Sequence, residues 1–228
     1  MDYIQNYICG MRNFEDSYRH KGLRKKLVNL IKSKGITDQK ILDAIERIPR
    51  HFFLDSAFDE VAYEDKAFPI AENQTISQPY TVAYQTQLLQ IKSHDKILEV
   101  GTGSAYQACV LAELGANVYT IERQKKLFDA NKKFEYLKRY SGIKFFYGDG
   151  YEGLPTYAPF DKVLITAAAP EIPSKLIDQL KPGGMMVIPV GSGEVQEMKR
   201  IIKYQDGSLK EEIFDRFSFV PMLGGKND

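Results

Sequence analysis

The chain is poor in the residues that bind metals and move protons. Its 228 residues include two cysteines, Cys9 and Cys109, and three histidines. No Cys-x-x-Cys pair, Cys/His cluster or His-Glu-x-x-His run occurs, so no metal site is expected. Two cysteines so far apart in sequence build no disulfide framework and read as free thiols of a reducing compartment. His20, His51 and His94 fall in a helical pattern, an aromatic connector and a loop, and each reads as structural or solvated. Charge of one sign is also missing. The 31 basic and 30 acidic residues leave a net +1, which gives no electrostatic case for nucleic acid or an anionic membrane. No apolar run approaches the ~18 residues of a membrane span. The N-terminus lacks a basic segment followed by a long apolar one, so no signal peptide is expected and the location read from the sequence is cytoplasmic.

What is present suits a folded α/β protein. Hydrophobic residues make up 43% of the chain and charged residues 27%, ordinary values for a globular domain. Amphipathic spacing predicts helices over 14–34, 38–48 and 80–90, with Thr37 or Asp38 capping the second. Residues 50–54 form an aromatic connector, and 55–74 read as loop or short strand. From 96 onward strands and helices alternate. Strands are expected at 96–100, 117–122, 143–148, 160–166 and 185–190, helices at 104–114, 123–140 and 172–180, and a turn at 181–184. This rhythm predicts a doubly wound, mostly parallel sheet with helices on both faces. Asp206-Gly207 between alternating runs signals a hairpin. Residues 219–225, "FVPMLGG", read as an edge strand because of Pro221. The expected organisation is one domain: a helical and loop cap over 1–75, a core over 76–190, and a hairpin with edge strand over 191–228.

The stretch "KILEVGTGSAYQACVLAELGANVYTIER" places Gly101-Thr102-Gly103-Ser104 between a strand and a helix. Such turns hold ligands at strand carboxyl ends, where the helix N-terminus offers free N–H groups. Glu122 ends the next strand, where a carboxylate can accept both hydroxyls of a ribose. A dinucleotide fingerprint would need glycine at 106, which is Tyr106, and no phosphate-binding Gly-x-x-x-x-Gly-Lys loop occurs. Glu99-Val100-Gly101-Thr102-Gly103 resembles instead the first motif of S-adenosylmethionine-dependent methyltransferases. That cofactor has a ribose for Glu122 and an adenine whose amino group Asp149, in "GDG", is placed to bond.

Longer stretches are more specific. "AYEDKAFPI", "NQTISQPYTVAYQTQLL", "GDGYEG", "APFDKVLITAAAPEIPSKLIDQLKPGGMMVIPVG" and "FSFVPMLGG" resemble the protein-L-isoaspartate (D-aspartate) O-methyltransferases, over about residues 62–225. The resemblance implies a Rossmann-like methyltransferase fold with an N-terminal helical cap and a C-terminal strand extension. It implies transfer of the methyl of S-adenosyl-L-methionine to the free carboxylate of L-isoaspartyl or D-aspartyl residues in damaged proteins, with S-adenosyl-L-homocysteine as product and no metal. The ester then loses methanol to a succinimide, which begins repair. Such a transferase is expected to act as a monomer on isoaspartyl peptides and proteins, with no nucleic-acid or membrane partner. The implied cofactor residues are Glu99, Gly101, Thr102, Gly103, Ser104, Glu122, Arg123, Asp149, Gly150 and Thr166. The implied substrate residues are Thr75, Ser77, Gln78, Ala167, Ala168, Val220 and Pro221, with the peptide held extended along 219–225 partly through its main chain.

An acceptor carboxylate, with a pKa near 4, is already ionised at neutral pH, so this chemistry needs no general base. Ser77 is the implied catalytic residue, donating to that carboxylate. By spacing alone Ser77, just before Gln78-Pro79, reads as a helix N-cap, and the two roles are compatible. A methyltransferase of another acceptor, or a binding module that keeps only the nucleoside pocket, are the competing readings. The sequence departs from the family where glycines usually stand, at Ala71, Asn73 and Ala105. The Ala105 methyl is expected to crowd the methionine end of the cofactor slightly.

Overall fold

The computed structural model describes residues 14–228. Cys9 and the N-terminal leader reading lie outside them. Helix α1 (Tyr18–Ser33) is capped by Ser17, whose hydroxyl accepts the His20 N–H at 3.3 Å. It buries Leu27, Val28 and Ile31, the stripe that helical spacing predicts. Helix α2 (Gln39–Arg47) is capped by Asp38 and buries Ile41, Leu42, Ala44 and Ile45. Short strands β1 (Phe68–Pro69) and β2 (Thr75–Ile76) pair antiparallel, within and just beyond the stretch expected to be loop or short strand. The expected boundary between 75 and 76 therefore passes through β2. The hairpin turns at Glu72 and Asn73, with φ +59° and +55°, the pattern of a two-residue hairpin loop. Asn73 tolerates this conformation well, which accounts for an asparagine replacing glycine there.

Helix α3 (Pro79–Leu89) leads to the main sheet. Its strands are β3 (Lys96–Val100), β4 (Asn117–Glu122), β5 (Ile143–Tyr147), β6 (Phe160–Ile165), β7 (Leu180–Val190), β8 (Gln196–Lys203) and β9 (Leu209–Phe217). They lie in the order β5-β4-β3-β6-β7-β8-β9. Pairing is parallel from β5 to β7 and antiparallel through β8 and β9. Helices α4 (Tyr106–Glu113), α5 (Lys125–Lys133) and α6 (Ser174–Asp178) make the crossovers. The strand order reverses at β3, which opens a crevice at the carboxyl ends of β3, β4 and β6. One core cluster joins α1–α4 to one face of the sheet, and a second packs Phe160, Leu176 and Met222 on the other.

Three expectations are corrected. The predicted 123–140 helix is α5 followed by a 3-10 turn, Glu135–Arg139. Phe134 between them is extended at φ −73°, ψ 105° and packs on Phe53, ring centroids 5.5 Å apart. Residues 181–184 form no free turn. Pairing jumps from Phe160↔Leu180 to Lys162↔Met185, so they bulge within β7. Residues 219–225 form no edge strand, since β5 and β9 are the edges. Pro221 has no N–H to give a ladder. Its neighbours make one bridge, Ala168 N–H to Val220 C=O at 2.8 Å and Met222 N–H to Ala168 C=O at 2.7 Å. No helix of the described residues is long and apolar enough to cross a membrane.

Candidate active site

The cavity begins where β3 stops. Gly101 has φ +97°, and a Cβ on it would meet Thr166 Oγ1 at 2.5 Å, so glycine is required there. The Thr166 hydroxyl, at the end of β6, lies 2.7 Å from Gly101 C=O and 3.0 Å from Val100 C=O, tying the two strand ends together. Thr102 Oγ1 lies 2.6 Å from Thr120 Oγ1. Gly103 N–H donates to Glu122 Oε2 at 2.9 Å, and Gln124 N–H donates to Glu122 Oε1 at 2.8 Å. Ser104 Oγ accepts the first N–H of α4, from Tyr106, at 3.3 Å. Burial pushes the Glu122 carboxyl above its ordinary pKa, against those backbone N–H groups and the Arg123 charge.

This cavity encloses about 840 Å³ including its mouth, within the range of small-molecule sites. Gly101, Thr102, Gly103, Ser104, Glu122, Arg123, Gly150 and Thr166 line it, together with Thr75, Ser77, Ala167, Val220 and Pro221. A second cleft, bounded by Gln78, Tyr80, Phe217 and Phe219, adjoins it. Thr75, Ser77, Thr166 and Val220 border both.

The strap before α3 is held from outside. Asp65 Oδ1 accepts the Tyr80 N–H at 2.8 Å, while its Oδ2 accepts from Gln78 Nε2 at 3.1 Å and Lys34 Nζ at 2.6 Å. Asp65 thus satisfies the helix N-terminus. The N-cap position is Gln78, without a side-chain cap bond, so the expected capping role of Ser77 is corrected. The Ser77 hydroxyl bonds to no group among the described residues.

Three expected site residues sit elsewhere. Glu99 is fully buried beneath the glycine turn, lines neither cavity, and neither oxygen has a hydrogen-bond partner among the described residues. Burial, opposed by the Thr120 side chain and helped by the nearby Glu122 charge, pushes its pKa up to about 8, which favours the neutral acid. Asp149 does not line the cavity, because its oxygens accept the N–H groups of Tyr151 at 2.8 Å and Gly225 at 2.6 Å. Together with Arg123, which donates to the carbonyls of Gly224 and Gly225 at 3.2 and 3.1 Å, it moors the C-terminal segment over the cavity. Ala168 is spent on the bridge to the Pro221 segment, which likewise commits Val220 C=O and Met222 N–H. Those groups are closed to an extended peptide. Ala105 is fully buried and outside the cavity lining, with φ +66°, so its methyl strains the backbone.

Sequence reasoning missed Gln107, Met222 and Leu223, which also line the cavity. Gln107, in the first turn after the glycines, had a positional signal. Met222 and Leu223 had none. The histidines stay out of both cavities. His20 stacks on buried His51 with ring centroids 3.8 Å apart, and nearby Asp16 is held by Arg24 at 3.0 and 2.9 Å.

A sequence profile described as "Protein-L-isoaspartate(D-aspartate) O-methyltransferase (PCMT)" matches residues 22–227. A protein-L-isoaspartate O-methyltransferase of Christiangramia forsetii is 54% identical, over 93% of this chain and 100% of its own. One of Cytophaga hutchinsonii is 53% identical, over 92% and 95%. A solved protein-L-isoaspartate O-methyltransferase superposes with a TM-score of 0.80 at 26% identity, covering 88% of this chain and 66% of its own. The chain belongs to the protein-L-isoaspartate(D-aspartate) O-methyltransferase family.

Proposed function

We propose that the cavity over Gly101 and Gly103 holds S-adenosylmethionine and that the adjoining cleft holds the acceptor peptide, with Ser77 between them. The chain is an S-adenosylmethionine-dependent protein carboxyl O-methyltransferase acting on L-isoaspartyl and D-aspartyl sites. The observation that carries the site assignment is the shared wall: Ser77 and Thr166 border both spaces. The residues present suit the nucleoside. The Glu122 oxygens each accept one backbone N–H, and a carboxylate keeps further lone pairs for ribose hydroxyls. Gly150 lets β3 approach, since a Cβ there would meet Val100 Cγ1 at 2.5 Å.

When bound, S-adenosylmethionine supplies a methyl on cationic sulfur, which a carboxylate oxygen takes in line as S-adenosylhomocysteine departs. The chain's own groups do the placing. Ser77 donates its hydroxyl proton to the acceptor carboxylate and fixes which oxygen faces the methyl. Thr75 and Gln78 border the peptide's cleft, and Ala167 leaves room on the cofactor side of the shared wall. Val220 borders both spaces, and Pro221 borders the cofactor cavity. No residue has to remove a proton, because the acceptor is ionised at neutral pH. Orientation of this kind supplies up to ~7–11 kcal/mol of a barrier.

The enzyme works as one unit, a cytoplasmic monomer without nucleic-acid or membrane partners. The near-balanced charge supports the lack of a nucleic-acid partner, and the buried free thiol of Cys109 suits a reducing compartment. The test is methyl transfer to two versions of one peptide, one isoaspartyl and one aspartyl. Transfer to the isoaspartyl peptide alone is expected, and equal transfer to both would overturn the acceptor assignment.

A further inference from the structure

Arg50 opens the 3-10 turn Arg50–Phe53 and is a fully buried side chain that borders neither cavity. Its hydrogen bonds go to carbonyls. Nε donates to Ala62 C=O at 3.1 Å, and Nη2 donates to Lys66 C=O at 3.3 Å and to Ser77 C=O at 2.9 Å. Its guanidinium carbon lies 5.0 Å from the Tyr106 ring centroid. No carboxylate among the described residues bonds to it. Burial lowers its pKa to about 10, which leaves it charged at neutral pH.

A buried cation is a costly way to brace a loop, and neutral donors would serve a brace alone. What the guanidinium adds is a rigid planar fork whose donors point in set directions. Here the fork joins two carbonyls of the 61–66 loop to the Ser77 peptide. Its face rests on Tyr106, which lines the glycine-turn cavity. One side chain therefore relates the strap to the element that follows the cofactor turn. A shift of about 1 Å in a reacting group is enough to cost a hundredfold in rate.

We infer that Arg50 is a positioning residue for methyl transfer, setting the Ser77 peptide so that its hydroxyl meets the acceptor carboxylate. This rests on the assignment of Ser77. Lysine keeps the charge and loses the fork, so Arg50→Lys is the informative variant, with Arg50→Gln beside it. In folded Arg50→Lys, kcat on the isoaspartyl peptide is expected to fall about tenfold or more, with calorimetric Kd for S-adenosylhomocysteine within about threefold. The decisive readout is the double variant. If Arg50 acts through Ser77, adding Arg50→Lys to Ser77→Ala should cost less than about twofold in the residual radiolabelled transfer. A purely structural role would cost the same factor in both backgrounds and would overturn the inference. So would a folded Arg50→Lys with kcat within about threefold of the parent, or failure of both variants to fold, which would assign Arg50 to stability. Full turnover by Ser77→Ala alone would instead remove the Ser77 assignment, a result separable from the others.

Discussion

The two ends of the cavity are built by different means. The part of the cavity proposed for the cofactor is made of adjacent strand termini already in register. Val100 pairs with both Ile121 and Ile165, and the Thr166 hydroxyl and Glu122 carboxylate lock the turn between them. The part proposed for the acceptor is assembled from a hairpin strap, a loop after β6 and the C-terminal segment. Side chains distant in sequence hold these together: Asp65 on the head of α3, Arg50 on Ser77, and Asp149 and Arg123 on residues 224–225. A site of the first kind follows from sheet geometry, whereas the second depends on every tie being present.

The largest test is to damage each end separately. Ser77→Ala is expected to lower kcat about a hundredfold or more, the scale of losing one donor at a reacting oxygen, with Kd for S-adenosylhomocysteine within about threefold. Glu122→Gln is expected to do the reverse, weakening that Kd about tenfold with saturated kcat within about threefold. Steady-state kinetics with calorimetry on both variants reads the contrast. If Ser77→Ala weakens the nucleoside as much as it slows transfer, the two ends are one coupled unit.

Beneath the cofactor end lies a stability test. Burial lifts the Glu99 pKa to about 8 from an ordinary 4.5, so the native state holds a proton that the unfolded chain releases. Between those two values folding takes up a proton, and the stability this group contributes falls as pH rises. Glutamine is close in shape and cannot ionise. The Tm of Glu99→Gln minus that of the parent should therefore grow from pH 5 to pH 8, by at least about 1 kcal/mol or ~2–4 °C. A constant difference would mean that Glu99 is ionised in the fold.

The same contrast decides what the sequence disclosed. The strands at 96–100 and 117–122 were readable from apolar runs and turn residues, and Gly101, Gly103 and Glu122 from their spacing, because that information is local. For Glu99 and Asp149, strand-end position does not reveal which way a carboxylate faces or what already bonds it. The acceptor end was legible only through family resemblance. Nothing near Ser77 in sequence says that Asp65 takes over the capping of α3. Nor does anything near Pro221 say that its neighbours will bridge to Ala168. The predicted edge strand failed for that reason: a proline was compatible with an edge, but the partner was a loop far away in the chain.

The smallest effect is expected at Ala105, where the strain and crowding accounts separate. Its φ of +66° and ψ of 10° place an alanine in the left-handed region at the head of α4, a conformation that costs an L-residue about 1–2 kcal/mol relative to the right-handed form. Glycine relieves that strain but gains freedom in the unfolded chain worth ~0.4–1 kcal/mol. Ala105→Gly should therefore raise stability by ~0–1.6 kcal/mol, and Tm by no more than ~6 °C. Because the Ala105 methyl is fully buried and outside the cavity lining, nucleoside affinity should stay within about twofold. An affinity gain beyond that would put the methyl group inside the cofactor site. The glycine turn would then extend one residue further into α4.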